Sequence, residues 1–235
     1  MTEKRKTNKK PVIISAVAAS SLLFTHLYVN AGQKLATVET MPTTIAQEEK
    51  VTVVKQRENL NNFLFIGDSF TYLMKDTIAS KNDNVYIHAK SGSSPSYWLD
   101  KVSDMPNEND VEGIVLLIGV NGASTDENKE DVVKLMDLIS EKYPNTNVYV
   151  QKIFPVGPEF HVSDFNEKIE VLNGIIENHV NTLKNFTSID TRTGFIDENG
   201  NLKHTYDELH IDEDYNPMFY DNILKAVQNA ERLYK

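Results

Sequence analysis

The chain contains no cysteine among its 235 residues. This absence excludes thiol nucleophiles, cysteine-ligated zinc, disulfide bonds and a lipid-modified cysteine. It leaves the redox compartment open, because an exported domain with a full apolar core needs no disulfides. A composition of 40% hydrophobic and 25% charged residues is typical of a globular protein. The length fits one domain of ordinary size after an N-terminal segment is set aside.

Positive charge is scarce outside the N-terminus. The formal net charge is -10, and five of the 24 Lys and Arg residues lie in the first ten positions. The rest of the chain is therefore strongly acidic, and it shows neither a basic stripe nor an internal repeat. Because such a surface repels phosphate groups, the composition argues against a nucleic-acid partner.

An uncharged, largely apolar segment follows the basic residues 1–10. Residues 11–30 contain no Asp, Glu, Lys or Arg, and their length is at the short end of what spans a bilayer as a helix. The basic flank predicts a cytoplasmic N-terminus and an exported remainder. We favour a retained signal-anchor, since the apolar run exceeds the roughly 7–15 residues of the hydrophobic region of a signal peptide. Small residues at Val29-Asn30-Ala31 leave a cleaved signal peptide, and hence secretion, as the alternative.

Residues 31–60 are polar, mixed in charge and poor in aromatic side chains, which is typical of a stalk or linker. The folded domain is therefore expected to occupy residues 61–235. The predicted location is the cell membrane, with a single span and the C-terminal domain outside the cytoplasm.

The domain alternates predicted strands with predicted amphipathic helices. Helices are expected at about 127–142, from Asp164 and from Asn216, where Asp164 and Glu167 have the spacing of a capping box. This alternation predicts a three-layer α/β/α sandwich with a central, mostly parallel sheet. The five predicted strands are Phe63–Ile66, Val85–Ala89, Gly113–Gly119, Asn147–Phe154 and Phe186–Asp190.

Polar residues follow the first three predicted strands. Ser69 comes after the first strand, Gly92 after the second and Asn121 after the third. Because parallel strands end at one edge of a sheet, these residues are expected to face a common crevice. Ser69 would act as nucleophile, and the amides of Ser69 and Gly92 with the Asn121 side chain would form an oxyanion hole. Gly-Asp-Ser alone more often forms an ordinary tight turn, so the companion residues carry the catalytic interpretation.

A base for the serine is offered near the C-terminus. His210 would take the Ser69 proton, and Asp207, three residues earlier, would orient the other ring nitrogen. His204 is a second candidate base if the local register differs. His88 is expected to be packed in the sheet, and His161 and His179 to lie in a loop and on a helix surface.

These blocks resemble the SGNH (GDSL-type) hydrolase family, named for Ser, Gly, Asn and His in four sequence blocks. The matching residues are Gly67-Asp68-Ser69-Phe70, Gly92, Gly119-x-Asn121 and Asp207-x-x-His210, over about Asn62 to Lys235. The resemblance implies a flavodoxin-like SGNH fold and a serine esterase with Ser69, Asp207 and His210 as its triad. Gly122 departs from the aspartate usual in the family, which is expected to weaken the order of that loop more than its chemistry.

The expected function is removal of short acyl groups, chiefly acetyl, from a cell-surface or extracellular glycan or another small ester. An O-acetyltransferase using the same triad is the first alternative, and a non-catalytic glycan-binding module is the second. No cofactor and no metal are expected, because the acidic run from Asp207 to Asp214 is interpreted as a solvated loop. Tyr97 and Trp98 are expected to pack in the core or to line the rim of the pocket.

Overall fold

The computed structural model describes residues 56–233 of the chain. Five parallel strands form one sheet in the order β2-β1-β3-β4-β5. This confirms the predicted α/β sandwich with a parallel sheet. The strands are β1 (Phe63–Gly67), β2 (Tyr86–Ala89), β3 (Gly113–Leu117), β4 (Asn147–Gln151) and β5 (Phe186–Ile189).

Six helices of residues 56–233 cover the sheet. α1 and α2 pack together and α2 contacts α6, whereas α3 packs on α4 and α4 on α5. Helices therefore lie in two groups around the sheet, as expected when strands carry apolar side chains on both faces. The helices are α1 (Ser69–Leu73), α2 (Lys75–Lys81), α3 (Pro95–Leu99), α4 (Asp126–Lys142), α5 (Phe165–Val180) and α6 (Asn216–Leu233).

The core is built from the strands and from one stripe of each long helix. Every residue of β1 and β3 is buried, because these strands lie inside the sheet and are covered on both faces. The predicted inward positions of the helices are also buried, which follows from apolar residues recurring at helical spacing. They include Val132, Met136 and Ile139 on α4, Ile169, Leu172, Ile176 and Val180 on α5, and Ile223, Val227 and Ala230 on α6.

Two local predictions are wrong. Asp164 does precede α5, but it adopts a left-handed conformation and its side chain makes no capping hydrogen bond. The predicted stalk also extends too far, because Leu60 is fully buried in the core and Arg57 pairs with Glu112 and Glu231. Residues 57–60, placed in the predicted stalk, therefore belong to the folded domain.

The predicted membrane segment at 11–30 and most of the predicted stalk lie outside the described residues. Between residues 56 and 233, no helix combines the length and the apolar character that a bilayer span requires.

Two asparagines of α5 stabilise the chain where it leaves β4. Asn173 accepts a hydrogen bond from the Ile153 amide at 2.7 Å and donates one to the Ile153 carbonyl at 3.1 Å. Asn166, two helical turns earlier, makes the same pair of bonds with Val156 at 2.7 and 3.2 Å. Both side chains replace a missing strand partner, so that the segment after β4 follows a defined path at the carboxyl edge of the sheet.

Replacement of Asn173 tests this role. Asn173→Ala leaves the buried amide and carbonyl of Ile153 without partners, so we expect the free energy of unfolding to fall by about 2–3 kcal/mol in urea titrations. Asn178→Ala on the exposed side of the same helix is the matched control, with an expected change within about 0.5 kcal/mol. Equal losses in the two variants would contradict the assignment.

Candidate active site

The first strand delivers Ser69 to the edge of the sheet. Gly67 ends β1, and a side chain at this position would collide with Thr71 and lie 2.8 Å from the Leu117 carbonyl oxygen. Only glycine therefore fits between the first turn of α1 and the end of β3. Asp68 is the N-cap residue and accepts a hydrogen bond from the Phe70 amide at 3.2 Å. Ser69 is the first residue of α1, where backbone amides have no partner inside the helix.

Asp68 is a buried acid at the base of the site. Its side chain is 1% exposed. Burial raises the pKa of its carboxyl group to about 7, although hydrogen bonds from the amides of Phe70, Gly119 and Asp68 itself act in the opposite direction. The contact with Gly119 joins the end of β1 to the loop after β3. The sequence pattern suggests only a helix cap here and gives no sign of a buried carboxyl group.

The loop after β2 is folded around Ser93. The Ser93 hydroxyl donates to the Lys90 carbonyl at 2.8 Å and accepts a hydrogen bond from the indole nitrogen of Trp98 at 3.0 Å. These bonds close a turn that leaves Gly92 exposed at its tip, with a φ of 70°. Trp98 is buried in the core, whereas Tyr97 remains on the surface.

Asn121 joins the loop after β3 to the loop after β2. Its Nδ2 donates a hydrogen bond to the Ser93 carbonyl at 3.1 Å. A carboxamide carries two N–H donors, so one remains available at this edge. Gly122 has a φ of 92°, a conformation that aspartate rarely adopts. The loop is ordered instead by Thr125, whose amide and hydroxyl both donate to the Gly122 carbonyl.

Asp207 and His210 form a close pair on the loop before α6. Asp207 Oδ2 lies 2.7 Å from His210 Nδ1, and Asp207 Oδ1 accepts the amides of Leu209 and His210 at 3.1 and 2.7 Å. Burial raises the pKa of Asp207, but these hydrogen bonds outweigh it and lower the pKa below its usual range. Because an ionised carboxylate can only accept hydrogen bonds, His210 donates from Nδ1 and leaves Nε2 free to take a proton.

An aromatic cluster supports the His210 ring. Phe70, the neighbour of Ser69, lies 5.9 Å from His210 between ring centroids and stacks on Phe154 at 5.4 Å. Phe154 in turn makes edge contacts with Phe195 and Phe219. His210 and the start of α1 therefore rest on one apolar layer, and they lie at the same edge of the sheet.

The structure brings some predicted partners together and leaves others apart. Asp207 is bonded to His210, and the Asn121 side chain is bonded to the Gly92 loop. No hydrogen bond joins the Ser69 hydroxyl to His210 within residues 56–233. Ser69 is 2% exposed, so only a small part of its surface reaches solvent at this edge. Hydrogen bonds of this kind often tighten only when substrate binds.

The other histidines have different surroundings. His204 has a φ of 60° and stacks on Tyr215 at 3.9 Å between ring centroids. His88 lies in β2, where burial lowers its pKa. His179 is 2.8 Å from Asp137 of α4. Of these rings and His161, none contacts a residue of the Ser69 turn.

The acidic run after Asp207 leads into the last helix. Asp212 precedes a short 3-10 turn at residues 213–215, and its amide donates to the His204 carbonyl at 2.8 Å. Across the described part of the chain, no three His, Asp or Glu side chains are arranged to hold a metal ion.

Sheet order and site position define the class of fold. The order β2-β1-β3-β4-β5 is that of flavodoxin-like doubly wound proteins, in which ligands bind between β1 and β3 at the carboxyl ends of the strands. Ser69 and Asn121 follow these two strands. The fold is that of the GDSL-like hydrolases.

Solved structures with this fold cover most of the domain. A GDSL-like lipase from Bacteroides thetaiotaomicron aligns with a TM-score of 0.58 and 17% identity, over 74% of this chain and 88% of that protein. The C-terminal catalytic domain of peptidoglycan O-acetyltransferase A from Streptococcus pneumoniae aligns with a TM-score of 0.55 and 13% identity, over 74% and 96%. A carbohydrate acetylesterase from Sinorhizobium meliloti aligns with a TM-score of 0.51 and 16% identity, over 72% and 99%. No protein-family profile and no curated protein matches the sequence.

The buried Asp68 makes a prediction about stability. Between about pH 4 and pH 7 the folded protein keeps a proton that the unfolded chain has lost, so stability falls as pH rises, by on the order of 4 kcal/mol over the window. Asp68→Asn keeps the shape and the acceptor oxygen but removes this titration.

We expect urea unfolding at pH 4.5 to 8 to show Asp68→Asn gaining stability relative to wild type as pH increases, with the gain levelling off above about pH 7. Parallel curves for the two proteins would contradict a buried, proton-binding Asp68.

Proposed function

We propose that the chain is a serine esterase, carried outside the cytoplasm by the segment at residues 11–30, that removes short acyl groups from a glycan. The observation that carries the proposal is the hydrogen-bonded pair of Asp207 and His210. The His210 ring also contacts Phe70, the residue next to Ser69. The likeness to carbohydrate esterases and to a peptidoglycan O-acetyltransferase domain supports an acylated carbohydrate as substrate.

Ser69 would attack the acyl carbonyl of the ester while His210 Nε2 takes the proton from the hydroxyl. A tetrahedral intermediate forms, and it collapses when His210 returns this proton to the departing alcohol. Water then attacks the acyl-serine by the same route in reverse and releases the acid. Asp207 fixes the ring tautomer in both halves, because its carboxylate accepts the Nδ1 proton and is itself fastened by two amides.

The negative oxygen of each intermediate requires hydrogen-bond donors. The Ser69 amide at the start of α1, the exposed Gly92 amide and the second N–H of Asn121 are the donors available at this edge. Donors fixed before the reaction stabilise charge without a reorganisation cost, and removal of one costs about 10²–10³ in rate.

An O-acetyltransferase is the second candidate function, and the solved O-acetyltransferase domain with this fold favours it. The two activities share the acyl-serine and differ in the acceptor, since a sugar hydroxyl would replace water in the second half. Purified protein incubated with p-nitrophenyl acetate and a soluble oligosaccharide separates them. Acetylated sugar in excess of free acetate would establish the transferase.

Removal of the nucleophile and the base tests the esterase directly. We expect Ser69→Ala and His210→Ala to reduce kcat on p-nitrophenyl acetate by at least about 10³-fold, because each breaks the same proton-transfer unit. His204→Ala is the control for the alternative base and should stay within about threefold of wild type. Equal activity in all four proteins would reject the triad and favour a non-catalytic glycan-binding module.

Asp207→Asn tests the tautomer. The amide can donate to Nδ1 and stabilise the ring with its proton on Nε2, so we expect kcat to fall by about 10³–10⁴-fold while KM changes little. Thermal unfolding of the variant should match wild type within a few degrees, which separates lost chemistry from lost structure. A KM effect without a kcat effect would contradict this role.

A further inference from the structure

Tyr206 lies beside His210 and is unusually exposed. Its side chain is 59% exposed, the largest value for a large hydrophobic residue in the described part of the chain. The rings of Tyr206 and His210 are nearly parallel, with centroids 5.9 Å apart and 17° between their planes. Phe70 contacts the same imidazole from within the core. The proposed base is therefore bordered by one buried ring and one ring that is open to solvent.

The loop that carries Tyr206 is well fastened. Thr205 pairs with Ile211 as an antiparallel bridge, so the loop closes on itself. Glu208 ties it to the segment after β4, where its carbonyl accepts the Gly157 amide at 2.7 Å and its carboxylate accepts the Glu159 amide at 2.9 Å. An aromatic ring is thus presented to solvent on a loop fixed at both ends and in its middle.

The rings of the other two exposed tyrosines, Tyr72 and Tyr97, are each covered by a lysine. Lys90 Nζ lies 4.0 Å from the ring centre of Tyr97, and Lys75 Nζ lies 4.3 Å from that of Tyr72. Among the described residues, no Lys or Arg lies over the ring of Tyr206. Its apolar surface is available to a ligand, whereas the other two are already covered.

The proposed reaction determines which half of the ester meets this ring. His210 Nε2 must approach the oxygen of the departing alcohol within hydrogen-bond distance, about 3 Å. The acyl oxygen, in contrast, points to the donors at Gly92 and Asn121. An alcohol of more than a few atoms therefore extends past His210, beside which the ring of Tyr206 lies.

We propose that Tyr206 determines specificity by stacking on the pyranose ring of the alcohol half of the ester. This inference rests on the proposed function and specifies its substrate class as esters of cyclic sugars. The C–H face of a pyranose ring is flat and apolar, so it can cover an exposed aromatic ring, which a short acyclic alcohol cannot. Partial burial and the charges of Asp207, Glu213 and Asp212 raise the pKa of Tyr206, so the ring stays a neutral phenol.

The test compares two esters with the same acyl group. Full-length protein is assayed on ethyl acetate and on glucose pentaacetate, which carries an acetyl group at every available position. The measured quantity is the ratio of kcat/KM for the sugar ester to that for ethyl acetate. We expect Tyr206→Ala to lower this ratio by about tenfold, mainly through KM on the sugar ester, because one stacking contact is lost. Tyr206→Phe should keep it.

Val171→Ala on α5 is the control, because Val171 is the next most exposed large hydrophobic residue of the described chain at 55%, and its ratio should equal that of wild type. An unchanged ratio in Tyr206→Ala would overturn the inference. So would equal losses of kcat on both esters, which would make Tyr206 a positioning residue for His210. Wild-type activity on ethyl acetate, and its loss in Ser69→Ala, are measured in the same series. If wild type hydrolyses neither ester, or if Ser69→Ala keeps the activity, the esterase itself is overturned and the inference with it.

Discussion

The contact between Phe70 and the ring of His210 connects the two halves of the proposed site. Phe70 belongs to the first helix of the domain, directly after Ser69, while His210 lies on the last loop before the final helix. The contact depends on Phe154, which stacks on Phe70 and lies in the segment after β4. Loss of this apolar layer would separate the base from the nucleophile although every polar residue remained in place.

The parallel sheet supplies the second constraint. Since β2, β1 and β3 are neighbours and run in the same direction, the loops that carry Gly92, Ser69 and Asn121 emerge at one edge. Hydrogen bonds then lock the loops together, from Asn121 to the Ser93 carbonyl and from the Gly119 amide to Asp68. In the second bond the acceptor is the buried carboxyl group of Asp68. Burial makes the charged form of this group unfavourable and thereby raises its pKa.

Long-period patterns predicted the fold well. The apolar stripe of α5 and the continuous apolar run of β3 each report burial through many residues, so that single exceptions do not obscure the signal. Features that depend on one residue were missed. Asp164 has the spacing of a capping box, yet its backbone is left-handed and its side chain makes no capping hydrogen bond. In the sequence Asn173 looks like any exposed polar residue of a helix, but in the structure it is buried and bonded to Ile153, just after β4.

By itself the sequence determined the alternation of strands and helices, the exclusion of thiol and disulfide chemistry, and the three-residue spacing that lets Asp207 reach His210. These properties depend only on composition or on residues that are close in the sequence, so they can be identified without the tertiary structure. Only the tertiary structure decided that His210 rests on Phe70, that Asp68 is buried and that Tyr206 stays exposed. Each of these depends on which distant segments exclude water from a side chain, and that is settled by packing across the sheet.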